Sequence, residues 1–310
     1  QNLFGSAGAG GEGIYGENLS ITLAVGGSVT GGMSGDGVTQ ANAILFTDGT
    51  NLLDIKGGTI TGNVVANGTD DTFRLSGTNG GSFDISQIQG FEHLGSSGSA
   101  TWTLSGTNST SQSWSASSGK LIVNGTMANT DFTIGSGATL GGSGTVGDVT
   151  VLSGGSLGPG NSPGILNTGD FSLSGTLQIE LAGTTVGTQY DQVNVTGTVT
   201  LGGSLDVSLL DSFLSRYGDS FNIINNDGSD DVSGTFSGLA EGDTITVGGT
   251  EFEISYKGGD GNDVELTTLS PAPTEDNNTG ATVGEGGAVV ITAAKLGFSD
   301  TDQTNANLVF

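Results

Sequence analysis

The sequence contains no cysteine among its 310 residues, which excludes disulfides, thiol nucleophiles and zinc sites built on cysteine. Basic residues are also scarce: 6 Lys and Arg stand against 32 Asp and Glu, so the formal net charge is −26. This charge repels phosphate backbones and anionic headgroups, and we expect neither nucleic acid nor a bare membrane as a partner. Apolar runs are far shorter than the ~20 residues of a membrane-spanning helix, so no direct membrane insertion of this segment is expected.

Glycine is abundant, with 59 residues, whereas proline occurs only four times. Apolar residues alternate with Ser, Thr, Asn or Asp in short runs, and most of these runs end at a glycine. Alternation with a period of two is typical of β-strands, and a helical period is almost absent. The sequence therefore predicts an all-β chain.

A unit of about 20 residues repeats in the middle of the chain. A Ser/Thr-Gly turn precedes a leucine five times, at intervals of 19, 17, 20 and 24 residues: Leu121, Leu140, Leu157, Leu177 and Leu201. Such a period is typical of a solenoid in which each unit forms one coil of a parallel β-helix, and we expect its inward leucines to form a ladder along the axis. An antiparallel sandwich is the alternative, because its strands also alternate between turns. Recurrence of the whole unit favours the solenoid, which we expect over residues 18–268.

Two further segments flank the predicted solenoid. Residues 1–17 are expected to be the N-terminal flank of a longer chain. Residues 269–280 contain Pro271 and Pro273 followed by polar residues, which is typical of a linker. Residues 281–310 are too few to bury a core of their own, so we expect this unit to be a truncated module.

The central motifs resemble those of a known family. Residues 138–147 (ATLGGSGTVG) and 153–164 (SGGSLGPGNSPG) closely resemble the passenger-associated transport repeat of autotransporter passengers. Residues 98–108, 190–197 and 254–263 resemble other parts of such passengers, in the same order along the chain. The resemblance implies a right-handed parallel β-helix that is exported to the bacterial surface and carries other modules.

The last segment resembles a second family. Residues 283–292 (VGEGGAVVIT), together with a later Asp-x-Asp pair, are similar to the first third of bacterial cadherin-like repeats. This resemblance implies a partial C-terminal β-sandwich. Carried over by position, it also implies that Glu285, Asp300 and Asp302 contribute to a calcium site.

The run GGDGND at residues 258–263 resembles the calcium-binding turn of RTX β-rolls, in which glycines permit tight turns and aspartates supply hard oxygen ligands. This makes Asp260 and Asp263 candidate calcium ligands. The alternative is a solvated final turn, since only one copy of the motif is evident. Calcium is the only cofactor that the sequence indicates.

Other chemistry-bearing residues have simpler interpretations. Carboxylate pairs occur at Asp70 and Asp71 and at Asp230 and Asp231, but neighbours in a strand point to opposite faces, so we expect exposed turns. The single histidine, His93, has no second histidine or cysteine to complete a zinc site, and we expect a packing or surface role.

The two tryptophans, Trp102 and Trp114, are twelve residues apart. They are candidates for a sugar-stacking platform, because sugar faces pack on aromatic rings. The alternation around Trp102 favours burial in the core instead.

These features together predict a non-enzymatic, secreted or cell-surface bacterial protein. The solenoid is expected to act as a stalk or adhesin that displays modules or assembles into a fibre or matrix. Expected partners are other surface or matrix proteins, copies of the same chain, and glycans. The alternative is a β-helix protein that binds or cleaves polysaccharide, although cleavage of uronates needs clustered basic residues and the six present here are dispersed.

Overall fold

The structure, a computed structural model, describes residues 8–270 and the backbone of two further strands, 274–278 and 296–299. The described part is all-β, as predicted, and its one helical element is a short 3-10 turn at Ile85–Gln87. No helix in these residues has the length and apolar character of a membrane-crossing segment.

The strands are short and follow one another closely. The first twelve are β1 (Ile14–Gly16), β2 (Ser20–Leu23), β3 (Ser28–Thr30), β4 (Ile44–Phe46), β5 (Leu52–Ile55), β6 (Thr59–Thr61), β7 (Val64–Ala66), β8 (Thr72–Leu75), β9 (Gly81–Asp84), β10 (Ile88–Gln89), β11 (His93–Ser96) and β12 (Thr101–Ser105). The next fourteen are β13 (Gln112–Ala116), β14 (Gly119–Val123), β15 (Thr126–Met127), β16 (Thr130–Ile134), β17 (Ala138–Gly142), β18 (Thr145–Val146), β19 (Val149–Val151), β20 (Ser156–Pro159), β21 (Ile165–Thr168), β22 (Phe171–Leu173), β23 (Thr176–Leu181), β24 (Gln192–Val195), β25 (Val199–Leu201) and β26 (Ser204–Leu209). The last seven are β27 (Ser220–Asn226), β28 (Ser233–Gly234), β29 (Thr244–Val247), β30 (Thr250–Gly258), β31 (Asp263–Thr268), β32 (Thr274–Asn278) and β33 (Leu296–Ser299).

Successive strands recur on three faces. The first face carries β1-β4-β7-β10 and, farther along the chain, β15-β18-β21-β24-β27. The second face is a ten-stranded parallel sheet, β2-β5-β8-β11-β13-β16-β19-β22-β25-β28. The third face carries β3-β6 and then the seven-stranded parallel sheet β9-β12-β14-β17-β20-β23-β26. Ten strands on one face correspond to ten stacked coils, so the predicted parallel β-solenoid is confirmed.

The predicted leucine ladder is present over four coils. Inward-pointing leucines pair in register across adjacent strands of the third face: Leu121 with Leu140, Leu140 with Leu157, and Leu157 with Leu177. All four side chains are at most 1% exposed. A column of buried leucines therefore runs along the axis, as expected from the repeat.

The fifth member of the predicted ladder was wrong. Leu177 pairs with Leu205, whereas Leu201 lies on the second face and pairs with Leu173. The cause is the loop at residues 182–191, which lengthens this coil. The next leucine of the ladder is therefore Leu205, four residues after the predicted Leu201. A fixed period of about 20 fails wherever a loop is inserted.

The core is one continuous column of buried apolar side chains from Leu23 to Leu266. Aromatic rings fill its N-terminal half: Trp114 lies edge-on to Phe73 and stacks on Phe132, with ring centroids 6.1 Å apart in both cases. Trp102 is 3% exposed, and its indole N–H donates to the Ser76 carbonyl at 3.2 Å. Both tryptophans are core residues, so the sugar-stacking platform is wrong.

Parallel stacking ends before residue 268 on the first face. Strands β31, β30 and β29 extend this face in antiparallel order beyond β27. The nine-residue β30 turns back through residues 259–262 into β31, so the chain forms a hairpin in place of another coil. This hairpin buries Phe252 and Leu266 completely, and it therefore covers the C-terminal end of the core.

The C-terminal module is described only in part. Strands β32 and β33 pair antiparallel, and β32 lies within the predicted linker 269–280. The rest of the predicted cadherin-like unit at 281–310 lies outside the described residues.

Candidate functional site

A groove of about 300 Å³ crosses the outer side of the seven-stranded sheet. Most of its lining residues come from five strands that are neighbours in this sheet, β14, β17, β20, β23 and β26. Since adjacent strands are about 4.8 Å apart, the groove spans roughly 19 Å along the axis. A long, narrow shape of this kind suits an extended ligand better than a compact one.

A glycine, Gly158, lies in the lining of the groove. It occupies an outward position on β20, in register with Gly141 of β17. Its φ is not positive, so its backbone conformation does not require glycine. A Cβ added at Gly158 would lie 3.5 Å from Oε1 of Gln178 and would occupy the groove. Gly158 thus keeps space open on the surface.

The turn at residues 159–164 forms one wall, and two sets of hydrogen bonds hold it in place. Gly142 and Gly160 exchange backbone hydrogen bonds at 2.9 and 2.8 Å. The Asp191 carboxylate accepts from the Gly164 N–H at 2.7 Å and from the Glu180 N–H at 2.9 Å. Asp191 therefore ties the wall to β23.

Asp191 is 1% exposed, and this burial is the main influence on the pKa of its carboxyl. Removal from water disfavours the charged form and raises the pKa of this carboxyl to about 7, against the opposing effect of the two N–H donors. Both carboxylate oxygens are already occupied by backbone donors, so Asp191 acts on the position of the wall.

The two ends of the groove carry opposite charges. Lys120, on β14, is exposed and has no ion pair among the described residues. Glu180 and Asp206 lie at the other end, on β23 and β26. The groove offers an ammonium donor at one end and carboxylate acceptors at the other. This arrangement suits a ligand rich in hydroxyl groups.

The two calcium ligands predicted from the glycine-rich turn differ in their exposure to solvent. Asp260 is exposed in the turn between β30 and β31. Asp263 is 3% exposed and accepts from Nδ2 of Asn222 at 2.6 Å and from the Asn226 N–H at 2.8 Å. Burial raises the pKa of Asp263, and the charge of Asp260 adds to this effect.

The remaining predicted calcium residues, Glu285, Asp300 and Asp302, lie outside the described residues. Within residues 8–270, no group of three or more His, Cys, Asp or Glu side chains lies close enough together to hold a metal ion. The structure therefore gives no carboxylate-rich cation site in this part of the chain.

The expectation of an exposed turn was wrong for Asp71. This side chain is fully buried, and its carboxylate accepts from the backbone N–H and the side-chain amide of Asn51 at 2.8 and 2.7 Å and from the Gly68 N–H at 3.0 Å. Gly68 lies in the same corner as Asp71, whereas Asn51 lies in the equivalent corner of the preceding coil, so the bonds to Asn51 join one coil to another. The sequence pattern could not reveal these partners, because Asn51 is 20 residues away.

The other predicted surface residues are exposed, as expected. Asp70 and His93 are about 60% exposed and lie 3.0 Å apart, between Oδ1 and Nε2. Asp230 and Asp231 are also exposed. None of these groups forms a buried catalytic arrangement.

A second set of corner carboxylates was not predicted. Asp131 accepts from the Asp148 N–H at 3.1 Å, Asp148 from the Asp170 N–H at 2.8 Å, and Asp170 from the Thr198 N–H at 2.7 Å. The sequence signal was available: a Gly-Asp pair occurs at 147–148 and again at 169–170, where the glycine leaves room for the preceding carboxylate. These aspartates are structural ties between coils.

A comparison of the chain with protein-family models finds no match, and a comparison with curated proteins finds none either. The resemblances to autotransporter passengers and to cadherin-like repeats therefore rest on the sequence motifs alone.

Proposed function

We propose that this chain belongs to a non-enzymatic, secreted or cell-surface bacterial protein, in which the solenoid acts as a stalk or adhesin. The supporting observation is the stack of ten coils around one apolar core, joined along the second face by an uninterrupted ten-stranded parallel sheet. Nine strand spacings of about 4.8 Å give a stack roughly 43 Å long. The motifs at 138–164 support the narrower proposal of a passenger-like β-helix that carries other modules or associates with surface or matrix proteins.

A coil deletion tests this proposal. Leu121 and Leu140 occupy equivalent positions, so deletion of residues 121–139 removes one coil and joins Lys120 to Leu140 in register. A stalk should tolerate this loss: the shortened chain should unfold cooperatively and still support attachment when displayed on cells. Deletion of residues 121–129 breaks the register and is the matched control, which should not fold.

Two outcomes would contradict the stalk. Loss of attachment in a folded 121–139 deletion would locate the activity in the deleted coil. A folded 121–139 deletion whose longest dimension in small-angle X-ray scattering equals that of the wild type would contradict end-to-end stacking, because loss of one coil should shorten the molecule by about 4.8 Å.

The groove supports glycan binding as a second candidate function. Lys120 can donate to an acidic sugar, while Glu180 and Asp206 can accept from sugar hydroxyls. The occupied oxygens of Asp191 favour binding over cleavage. The ligand class we propose is therefore an oligosaccharide that carries a carboxylate on at least one sugar.

Filling the groove tests this second function. Gly158→Val should reduce binding of a hyaluronan tetrasaccharide at least about tenfold by calorimetry, and Lys120→Ala should reduce it severalfold. Thr103→Val, on the same outer face but outside the groove, is the control and should bind as the wild type does. Equal binding by Gly158→Val and wild type, or no binding to the wild type, would reject the groove as a glycan site.

A further inference from the structure

A buried carboxyl belongs to the lining of the groove on the seven-stranded sheet. Asp191 lines this groove, yet its side chain is 1% exposed. It has no ion pair within the described residues, where the acidic partners of ion pairs are Asp54 and Asp70. A charge in this position is withdrawn from water without a basic partner, which disfavours the ionised form.

The side chains around Asp191 are negative or neutral. Burial raises the pKa of its carboxyl most, and the charge of Glu180 on β23 adds to this effect. Asp206, which lines the groove on β26, is a further carboxyl. Burial also raises the pKa of the Tyr190 phenol, so this neighbour stays uncharged. The turn at residues 159–164 and strand β24 contain no titratable side chain.

Two backbone donors and one distant lysine oppose these influences. The N–H groups of Gly164 and Glu180 donate to the Asp191 carboxylate at 2.7 and 2.9 Å. Among the described residues that line the groove, Lys120 alone is basic. It lies three strand spacings from β23, roughly 14 Å, which exceeds the screening length of about 8 Å at physiological salt. Burial therefore prevails, and the pKa of Asp191 is raised to about 7.

The first end of the turn at residues 159–164 is held independently of Asp191. Gly160 exchanges two backbone hydrogen bonds with Gly142 of β17. Asn161 donates from Nδ2 to Oδ1 of Asn124 at 2.9 Å. These bonds fix the start of the turn to the preceding coils.

The second end of the turn depends on Asp191. The Gly164 N–H donates to the Asp191 carboxylate, and the Gly164 carbonyl accepts from the Gln192 N–H at 3.0 Å. Between the two ends, Ser162 has a φ of 74°, a left-handed conformation that is strained for a residue other than glycine. Movement of the second end would relieve this strain and admit water to the carboxyl.

We propose that Asp191 makes the groove sensitive to pH: with a protonated carboxyl the turn at residues 159–164 stays closed over Asp191, and ionisation releases the second end of the turn. The ionised carboxyl gains hydration when the turn opens, whereas the neutral carboxyl gains little. The proton passes to solvent. Because the turn is one wall of the groove, its release widens the groove and weakens binding there.

The direction of the pH dependence follows from linkage. With the turn closed, the pKa of Asp191 is about 7, and with the turn open it returns towards its ordinary value of 3.8. The closed form therefore holds a proton that the open form releases. Closure is most favoured at acidic pH, is lost as the pH rises through 7, and changes little above that.

Amide hydrogen exchange tests this switch without a ligand. The 310-residue chain is studied by NMR at pH 5, 6, 7 and 8, with correction for the intrinsic exchange rate. Protection of the Gly164 and Glu180 amides should fall by up to about tenfold per pH unit between pH 5 and 7 and then level off. The Gly160 amide, at the fixed end of the turn, is the internal control, and its protection should stay nearly constant.

A variant and a binding measurement complete the test. Asp191→Asn does not titrate, so protection of its Gly164 amide should not depend on pH in this way. The binding measurement rests on the proposed glycan function. Affinity of the wild type for a hyaluronan tetrasaccharide should be severalfold higher at pH 5 than at pH 8, because only the closed turn completes the groove.

The possible failures can be told apart. Constant protection of Gly164 in the wild type, or the same pH dependence in Asp191→Asn, would overturn the switch. Parallel changes at Gly160 and Gly164 would show loss of stability of the whole coil and would also overturn it. These wild-type comparisons decide the matter even if Asp191→Asn does not fold.

Binding separates the switch from its effect on the groove. The predicted exchange with equal affinity at pH 5 and 8 would overturn the link between the turn and the groove. The predicted exchange without hyaluronan binding at any pH would reject the glycan function and support the switch.

Discussion

Buried carboxylates in this chain are bonded mainly to backbone N–H groups. Asp71, Asp191 and Asp263 each accept from at least one backbone donor, and among the buried carboxylates of the described residues only Asp54 is bonded to an arginine, Arg74, at 3.1 and 3.0 Å. Turns between short strands leave many backbone groups outside the sheets, and carboxylates satisfy them. Backbone donors therefore hold most of these carboxylates, and the Asp54–Arg74 pair, which joins β5 to β8, is the exception.

Asp71 allows a direct measurement of such a contact. Asp71→Ala removes the acceptor of three donors on Asn51 and Gly68 and leaves the buried Asn51 N–H without a partner. We expect the free energy of unfolding to fall by about 2–3 kcal/mol. Urea denaturation will measure this, with Asp70→Ala as the neighbouring control. Asp70 is exposed, so its loss should cost at most about 0.5 kcal/mol; similar losses in the two variants would contradict the assigned contacts.

Asp191 should make stability depend on pH. Its pKa rises from 3.8 in the unfolded chain to about 7 in the folded protein. The folded state therefore holds a proton that the unfolded chain releases above pH 3.8. The stability from this group is complete below that pH and is lost as the pH rises through 7.

The matched variant for this effect is Asp191→Asn, which has a similar shape but does not titrate. Between pH 4 and 7, acidification should stabilise the wild type relative to the variant by up to about 1.4 kcal/mol per pH unit. Urea denaturation at pH 5, 6, 7 and 8 will measure the difference. A constant difference across this range would show that the carboxyl does not titrate there.

At the scale of the elements, the inward leucines of the third face hold adjacent coils in register. Leu157 is fully buried between Leu140 and Leu177. Leu157→Ala should lower the free energy of unfolding by about 3 kcal/mol, through lost burial and the cavity that remains. Thr139→Ala, on the outward side of the adjacent strand, should cost less than about 1 kcal/mol. Equal costs would contradict the inward and outward assignment.

The sequence alone predicted the elements that depend only on residues near one another in the chain. Alternating apolar residues and glycine-bounded turns predicted strands, and the repeat predicted the inward positions of Leu121, Leu140, Leu157 and Leu177. Leu201 was misplaced because the length of the inserted loop, and not the repeat, sets the next register. Local patterns therefore predict which side chains point inward, but not which coil they meet.

Features that depend on distant partners were not predictable in this way. The burial of Asp71 depends on Asn51, and the burial of Asp263 depends on the pairing of β27 with β31, which brings together residues about forty positions apart. The groove depends on outward residues of five neighbouring coils, from Lys120 to Asp206, lying side by side. In each case the spacing along the chain carries no signal until the register of the coils is known.

At the scale of the whole molecule, the two ends of the described stack differ. At the C-terminal end, Phe252 of the antiparallel hairpin packs against Phe221 of β27, and both side chains are fully buried. In the first described coil, the inward residues Ile14, Ile21 and Val29 are only partly buried. Coils of a solenoid contact only their neighbours, so stability should vary along the axis and not be uniform.

Hydrogen exchange will measure this variation along one face. Strands β2 and β16 belong to the same ten-stranded sheet; within the described residues β2 has a neighbour on one side only, whereas β16 lies between β13 and β19. Amides of β2 should exchange faster than those of β16, because an end coil opens without disturbing the rest. Amides of β27, under the hairpin, should exchange more slowly than those of β2. Equal protection of β2, β16 and β27 would show that the described stack opens as one cooperative unit. The first described coil would then be as stable as the coil under the C-terminal hairpin.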